Sequence, residues 1–158
     1  MITLLDDLQA RAKLCRMAYQ VVEQNFDGTN LVIVGIDTRG YFLAEILVSE
    51  IRKINNLSVE LIKYERPPTP SKNSEIITKQ KRILLIDDVL YTGRTLFGAL
   101  QWVMEHSPER VQVGVLVDRG HRELPVSADF VGLELATTLQ NYIEVEIADG
   151  GRIEVRLK

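Results

Sequence analysis

One cysteine, Cys15, stands among the 158 residues. A single thiol excludes an intrachain disulfide framework and fits a reducing compartment. Cys15 falls in a helical apolar pattern and reads as a small buried side chain. No apolar run approaches the roughly 18 residues of a membrane span. No basic region followed by an apolar stretch opens the chain, so a signal peptide is not expected. Cations are not in excess: 19 Lys and Arg against 22 Asp and Glu give a formal net charge of -3. That excludes a strongly basic nucleic-acid coat, though not a local basic patch. Two nucleotide signatures are also missing, since no G-x-G-x-x-G follows a strand and no G-x-x-x-x-G-K-[ST] occurs. The expected location is the cytoplasm.

What is present is an ordinary globular composition, 46% hydrophobic and 26% charged. The length fits one domain over residues 1–158 with a sizeable core. Thr3 with Asp6 reads as a helix start, and Leu4, Leu8, Ala12, Cys15, Tyr19, Val22 and Phe26 recur at helical spacing until Asp27-Gly28. Leu31–Ile36 is a continuous apolar run, the pattern of a strand covered on both faces. Asp37-Thr38-Arg39-Gly40 reads as a loop, followed by a helix with Ala44, Leu47, Ile51 and Ile54 on one face. Strands are expected over Val59–Tyr64, Ile83–Asp87, Val111–Val117 and Asp129–Leu135. A helix is expected from near Thr95 to Ser107-Pro108. Ile143, Val145 and Ile147, then Ile153, Val155 and Leu157, alternate with charges around Asp149-Gly150-Gly151, the signature of a hairpin with one buried face. Strands alternating with helices predict an α/β fold: three layers, a mostly parallel central sheet flanked by helices, and a C-terminal β-hairpin. The stretch 65–81 holds Pro67, Pro68 and Pro70 and is too long for a plain connection, so it reads as a flexible binding loop or lid.

The densest chemistry lies at the end of the Ile83–Asp87 strand. Two carboxylates, Asp87 and Asp88, are followed by Val89, Leu90, Tyr91, Thr92, Gly93, Arg94 and Thr95. In open α/β sheets ligands bind beyond the carboxyl ends of the strands. A helix start offers free N–H groups and a positive dipole end to a phosphate. Gly93 allows close backbone approach, and Thr92 and Thr95 add hydroxyl donors. A bare phosphate has no use for the two acids, which repel it. A ribose with vicinal hydroxyls does, and so does a Mg²⁺ ion, bound directly or through water. Acceptors for a sugar followed by donors for a phosphate describe a ribose 5-phosphate site. Thr38, Arg39 and Gly40 follow the first buried strand at the same sheet edge, where Arg39 suits a pyrophosphate. Asp118, Arg119, His121, Arg122 and Glu123 crowd the end of the next strand.

The Asp87–Thr95 segment resembles the PRPP loop of type I phosphoribosyltransferases, PRPP being phosphoribosyl pyrophosphate. Together with Asp118 to Pro125 and Ala128-Asp129-Phe130-Val131-Gly132, it resembles the bifunctional pyrimidine-operon regulators that are also uracil phosphoribosyltransferases. That resemblance runs from about Leu31 to Leu135. It implies that ribose 5-phosphate passes from PRPP with Mg²⁺ to a nucleobase, most simply uracil, giving uridine monophosphate (UMP), in a homodimer or larger oligomer. Asp87 and Asp88 then hold the ribose hydroxyls and the metal shell, and residues 89–95 hold the 5′-phosphate. Thr38, Arg39 and Gly40 meet the pyrophosphate. Asp118, Arg119, His121 and Arg122 border the base. Closure of 65–81 excludes water, with Arg66 or Lys72 available to the pyrophosphate. Two alternatives stand beside this: a regulator that binds pyrimidine leader mRNA and senses nucleotides through the same site, and transfer to a purine. Tyr19 and Gln24 stand where a basic or histidine RNA-facing residue is expected. Leu133-Glu134-Leu135 occupies the place of a lysine, and the stretch after Tyr64 lacks the family's arginine with paired acids. Fewer cations weaken RNA binding, which puts the mRNA reading second.

Overall fold

A computed structural model describes residues 1–25, 27, 30–66, 81–136, 138 and 140–158. In chain order its elements are β1 (Ile2–Leu5), α1 (Asp7–Gln24), β2 (Leu31–Ile36), α2 (Asp37–Ile54), β3 (Val59–Tyr64) and β4 (Arg82–Leu90). They continue with α3 (Arg94–Met104), β5 (Arg110–Asp118), β6 (Phe130–Glu134), β7 (Ile143–Ile147) and β8 (Ile153–Leu157).

The central sheet has the order β3-β2-β4-β5-β6, with every neighbour parallel. Alternate side chains of the buried strands serve opposite faces. Ile33, Leu84 and Leu116 pack under α1 and α2 against Leu14, Met17, Leu43 and Leu47. Val32, Val34 and Leu85 pack on the other face with Leu96, Ala99 and Val103 of α3. This is the expected three-layer arrangement. A second, antiparallel sheet of order β1-β8-β7 adds Ile143, Val145, Ile153 and Val155 to the first core. The two edges of the parallel sheet are managed by arginines. Arg16 donates to the carbonyls of Val131 and Gly132 at 3.0 and 2.8 Å, and Arg52 to that of Val59 at 3.4 Å. Covering edge carbonyls in this way discourages pairing with another strand.

The structure corrects several expectations. Residues 2–5 form β1 rather than a helix start. The helix begins one turn later, where Asp6 and Gln9 form a reciprocal capping box. The buried stripe of α1 is Ala10, Leu14, Met17, Ala18 and Val21. Leu8 and Tyr19, on the expected stripe, are 79% and 59% exposed. Both stripes have helical period; the alanines decide between them, because small side chains let α1 lie close to its neighbours. Phe26 and Gly28, expected at the end of this helix, lie outside the described residues. Asp37 to Gly40 is the first turn of α2, not a loop. Likewise β4 runs on through Asp88, Val89 and Leu90, which were expected in a loop. A Cβ on Gly40 would lie 2.7 Å from the Ile86 carbonyl oxygen, so this glycine permits α2 to cross β4 closely. The stretch expected as a lid lies outside the described residues except for Glu65, Arg66 and Lys81.

The two stripes of α1 are separable by mutation. Leu14→Ala should cost about 2–5 kcal/mol, while Leu8→Ala should change stability by no more than about 0.5 kcal/mol. Urea denaturation of both variants checks the assignment, and equal losses would contradict it.

Candidate active site

Parallel strands deliver their carboxyl ends to one edge, so the three stretches singled out in the sequence meet there. β2 ends at Ile36 and α2 starts at once. β4 ends at Leu90 and turns into α3. β5 ends at Asp118 and leads into the following loop, and β3 delivers Arg66. A cleft of about 500 Å³ lies between Ile36, Asp37, Thr38 and Arg39 on one side and Asp87, Asp88, Val89 and Thr95 on the other, with Arg66 over it. A smaller recess of about 150 Å³ is formed by Asp87 and residues 89–96. Asp87, Val89 and Thr95 line both, so the recess opens beside the cleft.

Asp87 is buried and its Oδ1 accepts the Asp88 N–H at 2.8 Å. Asp88 accepts the Val89 N–H at 2.9 Å and ion-pairs with Arg39, Nε to Oδ2, at 2.9 Å. The Arg39 side chain is half-exposed and that of Asp88 only 16% exposed, so solvent screens the pair from one side. Burial, then the charge of Asp88, pushes the Asp87 carboxyl well above the usual carboxylate range. Asp37 adds to that push from the start of α2. Asp37 has φ 54, in the left-handed region that non-glycine residues rarely adopt. Its carboxylate takes two bonds from Arg66, at 2.9 and 3.2 Å, while Arg66 also donates to Thr95 Oγ1 at 3.2 Å. Three carboxylates and two guanidiniums thus surround the cleft, and each guanidinium holds one acid.

Neither α2 nor α3 has a side-chain cap at its N-terminus. The N-terminal N–H groups of a helix lack intrahelical partners, so both helix starts offer donors beside the acids, with the Arg94 N–H already meeting Thr92 Oγ1 at 3.3 Å. Gly93 caps α3 with φ 90, a conformation that glycine adopts without strain. The turn before it is fixed from outside, with the Thr92 carbonyl accepting the N–H groups of Glu123 and Leu124 at 2.8 and 3.1 Å. Arg94 pairs with Glu123 at 2.9 Å. Both side chains are largely exposed, so the pair is weak; it links the start of α3 to the loop after β5, a partner that sequence reading did not assign.

That loop differs most from expectation. Asp118 Oδ1 accepts the Gly120 N–H at 3.0 Å, and Arg122 stands 3.9 Å from Asp118 Oδ2. Arg119 is buried against Tyr91, and His121 meets the same ring edge-on, 6.1 Å between centroids. None of the four lines the cleft or the recess. Sequence reasoning named Asp37 and Glu123 but gave neither a role. Asp37 stood inside a stretch already noted, but its left-handed backbone leaves no compositional trace.

A family model described as the phosphoribosyl transferase domain matches residues 3–146. The bifunctional protein PyrR of Bacillus cereus strain AH820 is 40% identical over 161 residues, covering 92% of this chain and 89% of that protein. The chain belongs to the phosphoribosyl transferase family and, within it, to the PyrR proteins. The PyrR of Brevibacillus brevis is 38% identical over 160 residues with the same coverage. Among solved structures, the hypoxanthine phosphoribosyltransferase of Trypanosoma cruzi superposes with a TM-score of 0.74 at 17% identity, over 90% of this chain and 85% of that one. A hypoxanthine-guanine phosphoribosyltransferase of Bacillus anthracis gives 0.71 at 19% identity, over 87% and 84%. At such identities the likeness establishes the fold. The enzyme class is pentosyl transfer. No helix among the described residues is long and apolar enough to cross a membrane.

The raised Asp87 carboxyl has a stability consequence with a definite sign. Its contribution is fully present below the ordinary value of 3.8 and is lost as pH rises towards the folded value, because there the folded chain holds the extra proton. Asp87→Asn removes that loss. The melting temperature of the ligand-free variant, minus that of the wild type, should grow from about pH 4 to about pH 8. A difference that shrinks with pH would contradict the assignment.

Proposed function

We propose that this phosphoribosyltransferase transfers ribose 5-phosphate from PRPP to uracil, giving UMP and pyrophosphate. The observation that carries the reading is the position of Asp87 and Asp88 between two uncapped helix starts. A sugar bearing a phosphate on one side and a pyrophosphate on the other needs that order of groups. Asp87 and Asp88 accept hydrogen bonds from the ribose hydroxyls. The start of α3, with the Thr92 and Thr95 hydroxyls, takes the 5′-phosphate. Thr38, Arg39 and the start of α2 take the pyrophosphate, where negative charge grows as its bond to C1′ breaks. Arg39 turns from Asp88 to do so, and Arg66 is freed from Asp37 in the same exchange of counter-ions. Gly40, which lets α2 cross β4 closely, joins Thr38 and Arg39 at the pyrophosphate, and Arg94, exposed at the start of α3, joins the 5′-phosphate donors. Lys72 lies outside the described residues.

The same two acids fit Mg²⁺. Among the described residues no cluster of three or more His, Cys, Asp or Glu could hold a metal ion. Mg²⁺ needs no such cage, since one or two carboxylates plus substrate oxygens and water satisfy it. When bound, the ion neutralises charge on the leaving pyrophosphate. Uracil is favoured over a purine by the resemblance of Asp87–Thr95 and Asp118–Pro125 to the pyrimidine-operon regulators that are also uracil phosphoribosyltransferases, and homodimeric assembly in the cytoplasm goes with that reading. The PyrR relatives are named bifunctional, which keeps leader-mRNA binding as the second reading. Salt-sensitive, sequence-dependent binding of a pyrimidine leader RNA, altered by UMP, would support it.

A product assay with PRPP, Mg²⁺ and uracil, hypoxanthine, guanine or adenine tests the first reading. UMP is expected from uracil and no product from the purines. Asp87→Asn with Asp88→Asn should lower turnover on the order of 100-fold or more. Undiminished turnover in the double variant, or no product from any base, would overturn it.

A further inference from the structure

Arg119 is 4% exposed, an unusual place for a guanidinium. Its backbone N–H donates to the Leu90 carbonyl at 3.1 Å, which sets it beside Tyr91. The guanidinium carbon then lies 3.8 Å from the centroid of the Tyr91 ring. Nη2 donates to the Thr138 carbonyl at 3.2 Å and to the Asn141 carbonyl at 2.5 Å. One planar cation therefore ties together the turn after β4, the loop after β5 and the segment leading into β7. His121 braces the same ring from its edge. Burying a guanidinium is costly, and a desolvated stack with charged hydrogen bonds is among the few arrangements that offset it.

The place of this clamp follows from the sheet order, taking the phosphoribosyl-transfer reading as given. β4 carries the sugar acids. β2 and α2, which carry Arg39, lie to one side of it, and β5 lies to the other. Displacement at C1′ brings the nucleophile in opposite the leaving group. With pyrophosphate on the α2 side, the acceptor base enters from the β5 side, where Tyr91, Arg119, Thr138 and Asn141 stand. We infer that Arg119 is a positioning residue for the base and does not contact it. It holds the Tyr91 ring and the carbonyls of Thr138 and Asn141 at a fixed separation, and that separation selects a single-ring base over a double-ring one.

The test is steady-state kinetics of the full chain with PRPP, Mg²⁺ and either uracil or hypoxanthine. Arg119→Met and Tyr91→Leu should each raise KM for uracil about tenfold, and Arg119→Met should leave KM for PRPP within about twofold. Each should also lower the preference for uracil over hypoxanthine, whereas Tyr91→Phe, which keeps the ring, should retain that preference. The double variant should lose no more than either single one, since both break the same stack. If Arg119→Met does not fold, Tyr91→Leu carries the test, because it removes the stack and leaves the carbonyl bonds of Arg119 in place. Equal changes in both KM values, or unchanged base preference, would overturn the clamp while the parent reading stands. A wild-type protein inactive with every base would overturn the parent reading and the clamp with it.

Discussion

Two carboxylates on consecutive residues at the end of a buried strand repel each other and resist burial, and the fold must answer that cost. Asp87 answers it by leaning towards its protonated form. Asp88 answers it with Arg39 from the neighbouring helix, and the nearby Asp37 is matched in turn by Arg66. No hydrophobic gain accounts for acids in this position. They persist where a ligand supplies better partners than the protein does, and strained or electrostatically costly groups cluster at functional sites for that reason. The Arg39–Asp88 pair is then a resting arrangement: a cation and an anion that hold each other until a sugar and a pyrophosphate separate them.

The scaffold makes this possible through topology. A parallel sheet sends every carboxyl end to one edge, so sites separated by some fifty residues in sequence become opposite walls of one cleft. Two rigid cores, one under α1 and α2 and one under α3, leave the cleft walls little room to shift. Gly40 fits the same logic, because the close crossing of α2 over β4 brings Arg39 within reach of Asp88. The contacts from Thr92 to Glu123 and Leu124 join the phosphate turn to the loop after β5, so the parts of the site are held in one frame.

Much of this was legible in the sequence, and what was not has physical reasons. Leu31–Ile36 and Ile83–Ile86 are continuous apolar runs, the pattern of a strand covered on both faces. The alternation from Ile143 to Leu157 fixed the hairpin by its period of two. The order of acids, threonines and glycine from Asp87 to Thr95 carried the chemistry, because few ligands need acceptors and donors in that succession. The buried face of α1 was not legible, since two stripes share one period and neighbours not adjacent in sequence chose between them. Four residues, Ile2–Leu5, were too few to separate a strand from a helix start. Arg119 was expected to border the base; its guanidinium on Tyr91 appears only in the folded chain. The pairing of Arg94 with Glu123 and of Arg66 with Asp37 depends on tertiary proximity, which composition does not encode.

The account stands or falls on what the two acids and Arg39 do when substrate arrives, and a crystal structure of the protein with PRPP and Mg²⁺ reads this directly. The expected result has ribose hydroxyls on Asp87 and Asp88, the 5′-phosphate in the Thr92–Thr95 turn, and Arg39 swung from Asp88 to the pyrophosphate. PRPP bound away from the acids, or bound among them with the Arg39–Asp88 pair intact, would contradict it.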